Sequence, residues 1–88
     1  MANAKLRTGM DGAWLEVDCD AHDRALVYVA VTPTGTAEPV AAEWRDAYRD
    51  WGDRGQRVAK IRPPMRGNVM VWLKVDGNAI RLSKPVSL

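Results

Sequence analysis

The residues best suited to chemistry lie close together in the first third of the chain. Positions 18 to 23 hold three aspartates, a cysteine and the single histidine: Asp18, Cys19, Asp20, His22 and Asp23. Carboxylates, thiolates and imidazoles are common metal ligands, and a Cys–His pair can perform covalent catalysis. In an extended chain, however, Cys19 faces away from Asp18 and Asp20, and no second Cys or His stands at ligand spacing. We therefore predict no metal, no cofactor and no catalytic residue, and a protein that is not an enzyme.

Length and composition define one small domain. The chain has 88 residues, of which 47% are hydrophobic and spread along the sequence, as in a folded globule. No apolar run reaches the roughly 20 residues that span a bilayer, and the first ten residues lack the apolar stretch of a signal peptide. We expect synthesis in the cytoplasm and no membrane association.

Charge is distributed unevenly between the two halves of the chain. Residues 1–53 carry five basic and ten acidic side chains, a net charge of −5, whereas residues 54–88 carry eight basic and one acidic, a net charge of +7. Acidic and basic strands that lie side by side would cancel these charges. The alternative is a dipolar surface that docks onto a charged partner.

Alternation of apolar and polar residues predicts strands in most of the chain. Residues 13–20 alternate as a half-buried strand, and residues 26–32 are almost wholly apolar, as in a central strand. Residues 69–82 read as two strands joined at Asp-Gly, a strong hairpin signal. Residues 56–62 form a basic strand whose irregular alternation predicts an edge or a bulge.

Two segments do not fit this strand pattern. Residues 1–12 have no period and carry Lys5 and Arg7, so we predict a flexible basic arm that precedes a sandwich domain at 13–88. Residues 39–52 admit either strand or a short helix, because their apolar residues fall at helical spacing: Val40, Trp44, Ala47, Tyr48 and Trp51. Like-charge pairs four residues apart weaken the helical alternative.

Three stretches resemble a known group of proteins. They are VYVAVTPTGTAEP at 27–39, AEWRDAY at 42–48 and RVAKIRPPMRGNVMVWLKVDG at 57–77. This succession resembles the small immunoglobulin-like or fibronectin type III-like virion proteins of tailed phages that infect actinobacteria. The residues that carry the resemblance are Pro33, Gly35, Trp44, Ala47, Gly67, Val71, Trp72 and Leu73, together with the closing PVSL. Residues 45–53 depart from it, because they look more helical than that group implies.

The resemblance implies an all-β, immunoglobulin-like β-sandwich, with room for one short helix within residues 39–52. It also implies a non-enzymatic virion protein, but not which part of the virion. Our prediction is decoration of the capsid or a position in the head–tail region. Its partners would be other virion subunits, engaged in multiple copies per particle.

Six residues are the candidates for such an interface, because they are basic or aromatic and lie in the arm, on outward strand positions or in the basic segment. They are Lys5, Arg7, Trp14, Arg57, Arg62 and Arg66. Two alternatives belong to other classes. A small nucleic-acid-binding regulator would use the basic segment 54–66, although no aromatic residue interrupts that segment. A carbohydrate-binding module would use exposed tryptophans.

Overall fold

Short strands make up most of the fold. The structure, a computed structural model, describes residues 3–19, 21–22, 24–35, 37–82 and 84–88. The strands are β1 (Ala4–Gly9), β2 (Gly12–Asp18), β3 (Val27–Pro33), β4 (Arg45–Asp46), β5 (Tyr48–Trp51), β6 (Arg57–Ile61), β7 (Asn68–Val75), β8 (Asn78–Arg81) and β9 (Val86–Ser87). A 3-10 turn, Ala41–Glu43, precedes β4. In the described part of the chain, no helix is long and apolar enough to cross a membrane.

The strands form two antiparallel sheets. Sheet A has the order β1-β2-β6-β5, and sheet B has the order β4-β3-β7-β8, with β9 paired to β7 beyond the end of β8. If the strands are lettered along the chain, with β4 as C′ and β8–β9 as a single broken G strand, the orders become A-B-E-D and C′-C-F-G. This is the connectivity of immunoglobulin-like sandwiches. The predicted all-β sandwich is confirmed.

The hydrophobic core lies between the two sheets and draws on both. Sheet A contributes Leu15 and Val17 from β2 and Ala59 and Ile61 from β6, while sheet B contributes Val29, Val31, Val71 and Leu73 from β3 and β7. All eight side chains are buried. Full burial of one Val or Leu contributes about 1.5–3 kcal/mol, so this double layer is the main source of stability. The strand predicted at residues 13–20 is confirmed as β2, Gly12–Asp18, while residue 20 lies outside the described residues. The predicted central position of residues 26–32 is confirmed by β3, which pairs with both β4 and β7.

The hairpin predicted from Asp-Gly is present as β7 and β8. Val75 pairs with Asn78, and the two residues between them are Asp76 and Gly77. Both have positive φ, 48° and 87°, as a type I′ turn requires. Glycine adopts this conformation at little cost, and aspartate tolerates it.

Strand β7 is buried on both of its faces. Trp72 and Met70 point away from the core, yet both are buried. The Trp72 indole N–H donates a hydrogen bond of 3.0 Å to the Thr32 hydroxyl. Pro39 and Trp44, from the segment around the 3-10 turn, line a cleft together with Trp72. This segment therefore packs on the outer side of sheet B and explains the nearly unbroken apolar run of β7.

The structure differs from the sequence-based prediction in the first twelve residues. Residues 1–12 were predicted to form an arm outside the sandwich, but Ala4–Gly9 pairs with β2 along its whole length. Ala4 packs against the core, while Leu6 remains 37% exposed at the open side of the sandwich. Because so little of this strand is buried, its sequence carries no clear alternation.

One further expectation is corrected, and one open alternative is resolved. The strand at 56–62, predicted to form an edge or to contain a bulge, lies in the middle of sheet A between β2 and β5 and pairs with both in continuous register, and its Val58 and Ala59 are buried. Its charged side chains extend away from the sheet or pair with neighbouring side chains. They therefore do not mark an edge strand. Within residues 39–52 the only helical segment is the 3-10 turn, and the chain then crosses from sheet B to sheet A as β4 and β5. The apolar residues of this segment fall at helical spacing because the chain passes from one sheet to the other within it.

Candidate functional site: a tryptophan–cation cluster on sheet A

The outer face of sheet A gathers aromatic and basic side chains from three strands. Trp14 comes from β2, Tyr48 from β5, Lys60 from β6, and Arg62 directly follows β6. We call these four residues the Trp14 cluster. The register explains their proximity, because Glu16 of β2 pairs with Lys60, and Lys60 pairs with Tyr48. Side chains on paired positions of neighbouring strands share a face.

Trp14 is the centre of the cluster. The guanidinium carbon of Arg62 lies 3.7 Å from the centre of the Trp14 ring system, and the Lys60 ammonium lies 4.9 Å from it. Tyr48 meets the indole edge-on, with ring centres 5.8 Å apart and planes at 86°. Cations within about 6 Å of an aromatic ring are attracted by its electron-rich face. These contacts hold four large side chains in one arrangement.

Hydrogen bonds fix the orientation of the cluster. The Trp14 indole N–H donates to the Asp11 carboxylate at 2.9 Å, and this bond holds the pKa of Asp11 below its usual range. Arg62 donates to the carbonyl of Ala13 at 3.1 Å. Lys60 donates to Asp50 at 2.9 Å, which lowers the pKa of that carboxyl group. The cluster is therefore ordered by its own contacts.

A second group of charges joins β1 to the rest of sheet A. Arg7 forms an ion pair with Glu16 at 3.1 Å and another with Asp53, which also binds Lys5 at 3.2 Å. Hydrogen bonds from Arg7 and Lys5 lower the pKa of Asp53. The Glu16 side chain is only 9% exposed, so Arg7 supplies the charge that its burial requires.

The six predicted interface residues separate into distinct groups. Trp14 and Arg62 meet in the Trp14 cluster, while Lys5 and Arg7 meet at Asp53. Arg57 stacks over Trp51, with its guanidinium carbon 4.4 Å from the ring centre.

The sixth predicted residue, Arg66, is exposed in the loop between β6 and β7 and lies outside the cluster. Tyr48 and Lys60 also belong to the cluster, although neither was predicted from the sequence. The register of β5 on β6 reveals both, and the helical spacing of residues 39–52 had concealed it.

The residues first considered for metal binding or catalysis do not form such a site in the part that is described. Asp20 and Asp23 lie outside the described residues. Among the described residues, no group of three or more His, Cys, Asp or Glu side chains could hold a metal ion. Cys19 is buried at the end of β2, and the His22 ring approaches the Asp76 carboxylate at 3.3 Å.

Asp76 connects two loops at one end of the sandwich. Its carboxylate accepts a hydrogen bond of 2.9 Å from the Leu26 N–H, and its own N–H donates to the Leu26 carbonyl at 2.9 Å. The first of these bonds is the main reason that the pKa of Asp76 is lowered. Arg49 adds a bond of 2.6 Å to the His22 carbonyl. These contacts join the two loops and have a structural role.

No family model, curated protein or solved structure matches the chain. The geometry of the Trp14 cluster indicates what it can bind. Aromatic rings, a guanidinium, an ammonium and interleaved carboxylates can bind and orient a partner surface. The described groups of the cluster include no nucleophile paired with a base.

Proposed function

We propose that the protein is a non-enzymatic structural protein of a phage virion, which decorates the capsid or occupies the head–tail region. It docks on neighbouring virion subunits through the outer face of sheet A. The assignment to a virion rests on the sequence resemblance described above. The single observation that carries the docking role is the Trp14 cluster, because it concentrates Trp, Tyr and Arg on one rigid sheet face.

The composition of the cluster suits a protein partner. Tryptophan, tyrosine and arginine are the residue types that most often dominate the binding energy of protein interfaces. In this protein they are already ordered by stacking and hydrogen bonds. Binding would therefore lose little side-chain entropy, which raises affinity for a given contact area.

The charges of sheet A also favour a protein partner. The basic residues on this face alternate with acids, as in the pairs Lys60–Asp50 and Arg7–Glu16. A surface that mixes acidic and basic groups binds a partner surface with the opposite pattern of charges, and this complementarity sets specificity. The phosphates of a nucleic acid would instead be repelled by the carboxylates of these pairs.

A second candidate function is supported by a specific observation. The basic segment 54–66 has no aromatic residue of its own, but the fold brings Trp14 beside Lys60 and Arg62, and Trp51 beside Arg57. Aromatic rings next to cations can stack the bases of single-stranded nucleic acid. The carbohydrate alternative has less support, because the cations beside Trp14, Trp44 and Trp51 suit a phosphate-bearing or acidic partner better than a neutral sugar.

The proposal is tested with virions of the phage whose genome carries this gene. Mass spectrometry should find the protein in purified particles, and added protein should co-sediment with particles that lack it. Arg62→Glu should weaken co-sedimentation at least about tenfold, because it replaces a guanidinium at the interface with a carboxylate, which repels the acidic groups of the partner that Arg62 would meet. Arg81→Glu is the matched control, since it makes the same charge change on β8 of sheet B and should bind as the parent does.

Three outcomes separate the candidate functions. Absence of the protein from particles, together with failure to co-sediment, overturns the virion assignment. Equal loss with Arg62→Glu and Arg81→Glu overturns the assignment of the docking face. Retention of a single-stranded oligonucleotide that weakens steeply as salt rises would establish the second candidate.

A further inference from the structure

Strand β1 leaves the longest continuous free edge among the described strands. It lies at the end of sheet A and is six residues long, whereas the edge strands β4, β5 and β8 have two, four and four residues. Among the described residues, its only strand partner is β2. Proline, bulges and charged side chains, especially lysine, usually protect such edges. Residues 4–9 contain no proline and pair with β2 without a bulge, and their two charged side chains, Lys5 and Arg7, are held in ion pairs with Asp53 and Glu16.

The hydrogen-bond pattern shows which groups point out of this edge. The Asp18 N–H donates to the Asn3 carbonyl, so positions 3 and 18 form a hydrogen-bonded pair. Bonded and non-bonded pairs alternate in an antiparallel ladder. With Lys5 opposite Glu16 and Arg7 opposite Trp14, these positions bond to β2. The N–H and C=O groups of Leu6 and Thr8 therefore point away from the sheet.

A groove opens beside these groups, at the end of the sandwich that holds the turn between β1 and β2. Its volume is about 490 Å³, within the range of roughly 300–1,000 Å³ that is usual for ligand clefts. It is lined by Leu6, Ala13, Pro63, Pro64, Met65, Arg66 and Leu88. All but one of these residues are apolar, and the exception, Arg66, is exposed.

We propose that this edge and groove bind an extended, acidic peptide segment of a partner protein by strand addition. The segment pairs with the outward N–H and C=O groups of Leu6 and Thr8. One aliphatic side chain enters the groove, and a carboxylate on the segment meets Arg66. Backbone pairing supplies affinity in this mode of recognition, and side-chain pockets supply specificity.

Charge favours an acidic partner over a second copy of this chain. Two copies paired through β1 would bring Lys5 and Arg7 of one copy beside the same residues of the other. Like charges on paired strands are unfavourable. A carboxylate opposite Arg66 instead makes a charge-assisted hydrogen bond, which is about twice as strong as a neutral one. The inference concerns the edge of sheet A and is independent of the docking role of its outer face.

The test uses immobilised peptides about seven residues long, close to a typical strand. All alternate Val or Leu with Thr, and three matched series place Glu, Thr or Lys at one polar position. The full-length protein should bind the Glu series at least about tenfold more tightly than the Lys series. Arg66→Glu should invert this order of preference.

A pair of variants isolates the backbone contribution. Thr8→Pro removes an N–H that points out of the sheet and leaves the β1–β2 ladder intact, because proline is tolerated at edge positions. It should abolish peptide binding, whereas Thr8→Val keeps the N–H and should bind as the parent does. Circular dichroism and Tm of Thr8→Pro verify that the fold is retained, and Leu6→Asp, which places a charge in the groove, provides a second loss-of-binding variant.

Each outcome decides the proposal. Binding of the Glu series that is lost in Thr8→Pro and inverted in Arg66→Glu supports it. Absence of binding in all three series, or binding that survives both Thr8→Pro and Leu6→Asp, overturns it.

Discussion

At the scale of single residues, Leu73 and Ile80 show how position on a sheet decides the value of an apolar side chain. They are direct cross-strand partners and share the inward face, yet Leu73 is 3% exposed and Ile80 is 50% exposed. The difference arises because β7 is a central strand and β8 is an edge. Equal hydrophobicity in the sequence therefore corresponds to unequal contributions to stability.

We predict that Leu73→Ala destabilises the protein by about 2–5 kcal/mol, because it leaves a cavity between the sheets. Ile80→Ala is the matched control and should cost only about 0.8–1.5 kcal/mol, since Ile80 is already half exposed to water. Urea denaturation of both variants measures the two free energies of unfolding. Similar losses for the two would mean that the core does not lie where this fold places it.

Asp76 gives a prediction about pH. Hydrogen bonds lower its folded-state pKa below the ordinary value of 3.8, first through the Leu26 N–H and then through His22. A lowered pKa stabilises the folded state above that ordinary value, and this stabilisation is lost as the pH falls through the folded-state pKa. The Tm should therefore fall on acidification below about pH 4.

In Asp76→Asn the amide oxygen can still accept the Leu26 hydrogen bond, and asparagine suits the positive φ. Because the variant lacks the titrating group, its Tm should fall less steeply over the same acid range. Asp46→Asn, on the exposed strand β4, is the control. Thermal melts between pH 2.5 and 5 compare the slopes, and parallel curves for the parent and Asp76→Asn would contradict the role of this carboxylate.

At the scale of elements, β1 is the strand whose role changed most between sequence and structure. An arm without structure could be removed at no cost to stability. As a strand, β1 instead pairs with β2 and supplies Arg7 to the buried Glu16. Its removal would expose the edge of β2 and leave that carboxylate without its partner.

Deletion of residues 1–11 should therefore lower the Tm by more than about 5 °C, the shift that roughly 1 kcal/mol produces in a domain of this size. Deletion of residues 1–2 is the control, since it keeps β1 whole together with the Asn3 carbonyl that accepts the Asp18 N–H, and it should change the Tm little. Differential scanning calorimetry measures both. A Tm for the longer deletion equal to that of the parent would restore the flexible-arm interpretation.

The elements that could be predicted are those whose two faces differ in burial. Strand β2 alternates because Leu15 and Val17 face the core while Trp14 and Asp18 lie on the outer face, and Asp76-Gly77 marks its hairpin because few residues tolerate positive φ. Strand β6 was misplaced because Arg57 and Lys60 suggested an edge, although their charges meet Trp51 and Asp50. Long-range partners of this kind leave no local signal.

The candidate site was predicted only in part for the same reason. Trp14 was identified from its outward position in an alternating strand, and Arg62 from the basic run. Tyr48 lies 34 positions after Trp14, and only the pairing of β5, β6 and β2 brings the two rings together. The site is thus a product of topology, which spacing along the chain does not reveal.

At the scale of the whole molecule, the fold mixes the acidic and basic halves of the sequence. Strand β2, from the acidic half, pairs with β6, from the basic half, so that Glu16 lies opposite Lys60. Strand β5, also from the acidic half, gives Lys60 its ion pair with Asp50. The expectation that acidic and basic strands lie side by side is confirmed. The charges of sheet A are therefore largely compensated locally.

The two sheets should unfold as one cooperative unit, because the core consists of the inward faces of both. Neither sheet could keep its apolar face out of water without the other, so an intermediate with one sheet intact is unfavourable.

Two of the four tryptophans, Trp14 and Trp51, report on sheet A, while Trp44 and Trp72 report on sheet B and the segment that packs on it. Fluorotryptophan labelling with fluorine NMR follows all four positions in the unmutated chain. We expect the four folded-state resonances to lose intensity at the same urea concentration. Earlier loss of the Trp14 and Trp51 signals would contradict this expectation, since it would show that sheet A opens before sheet B and that its charge network, rather than the shared core, limits its stability.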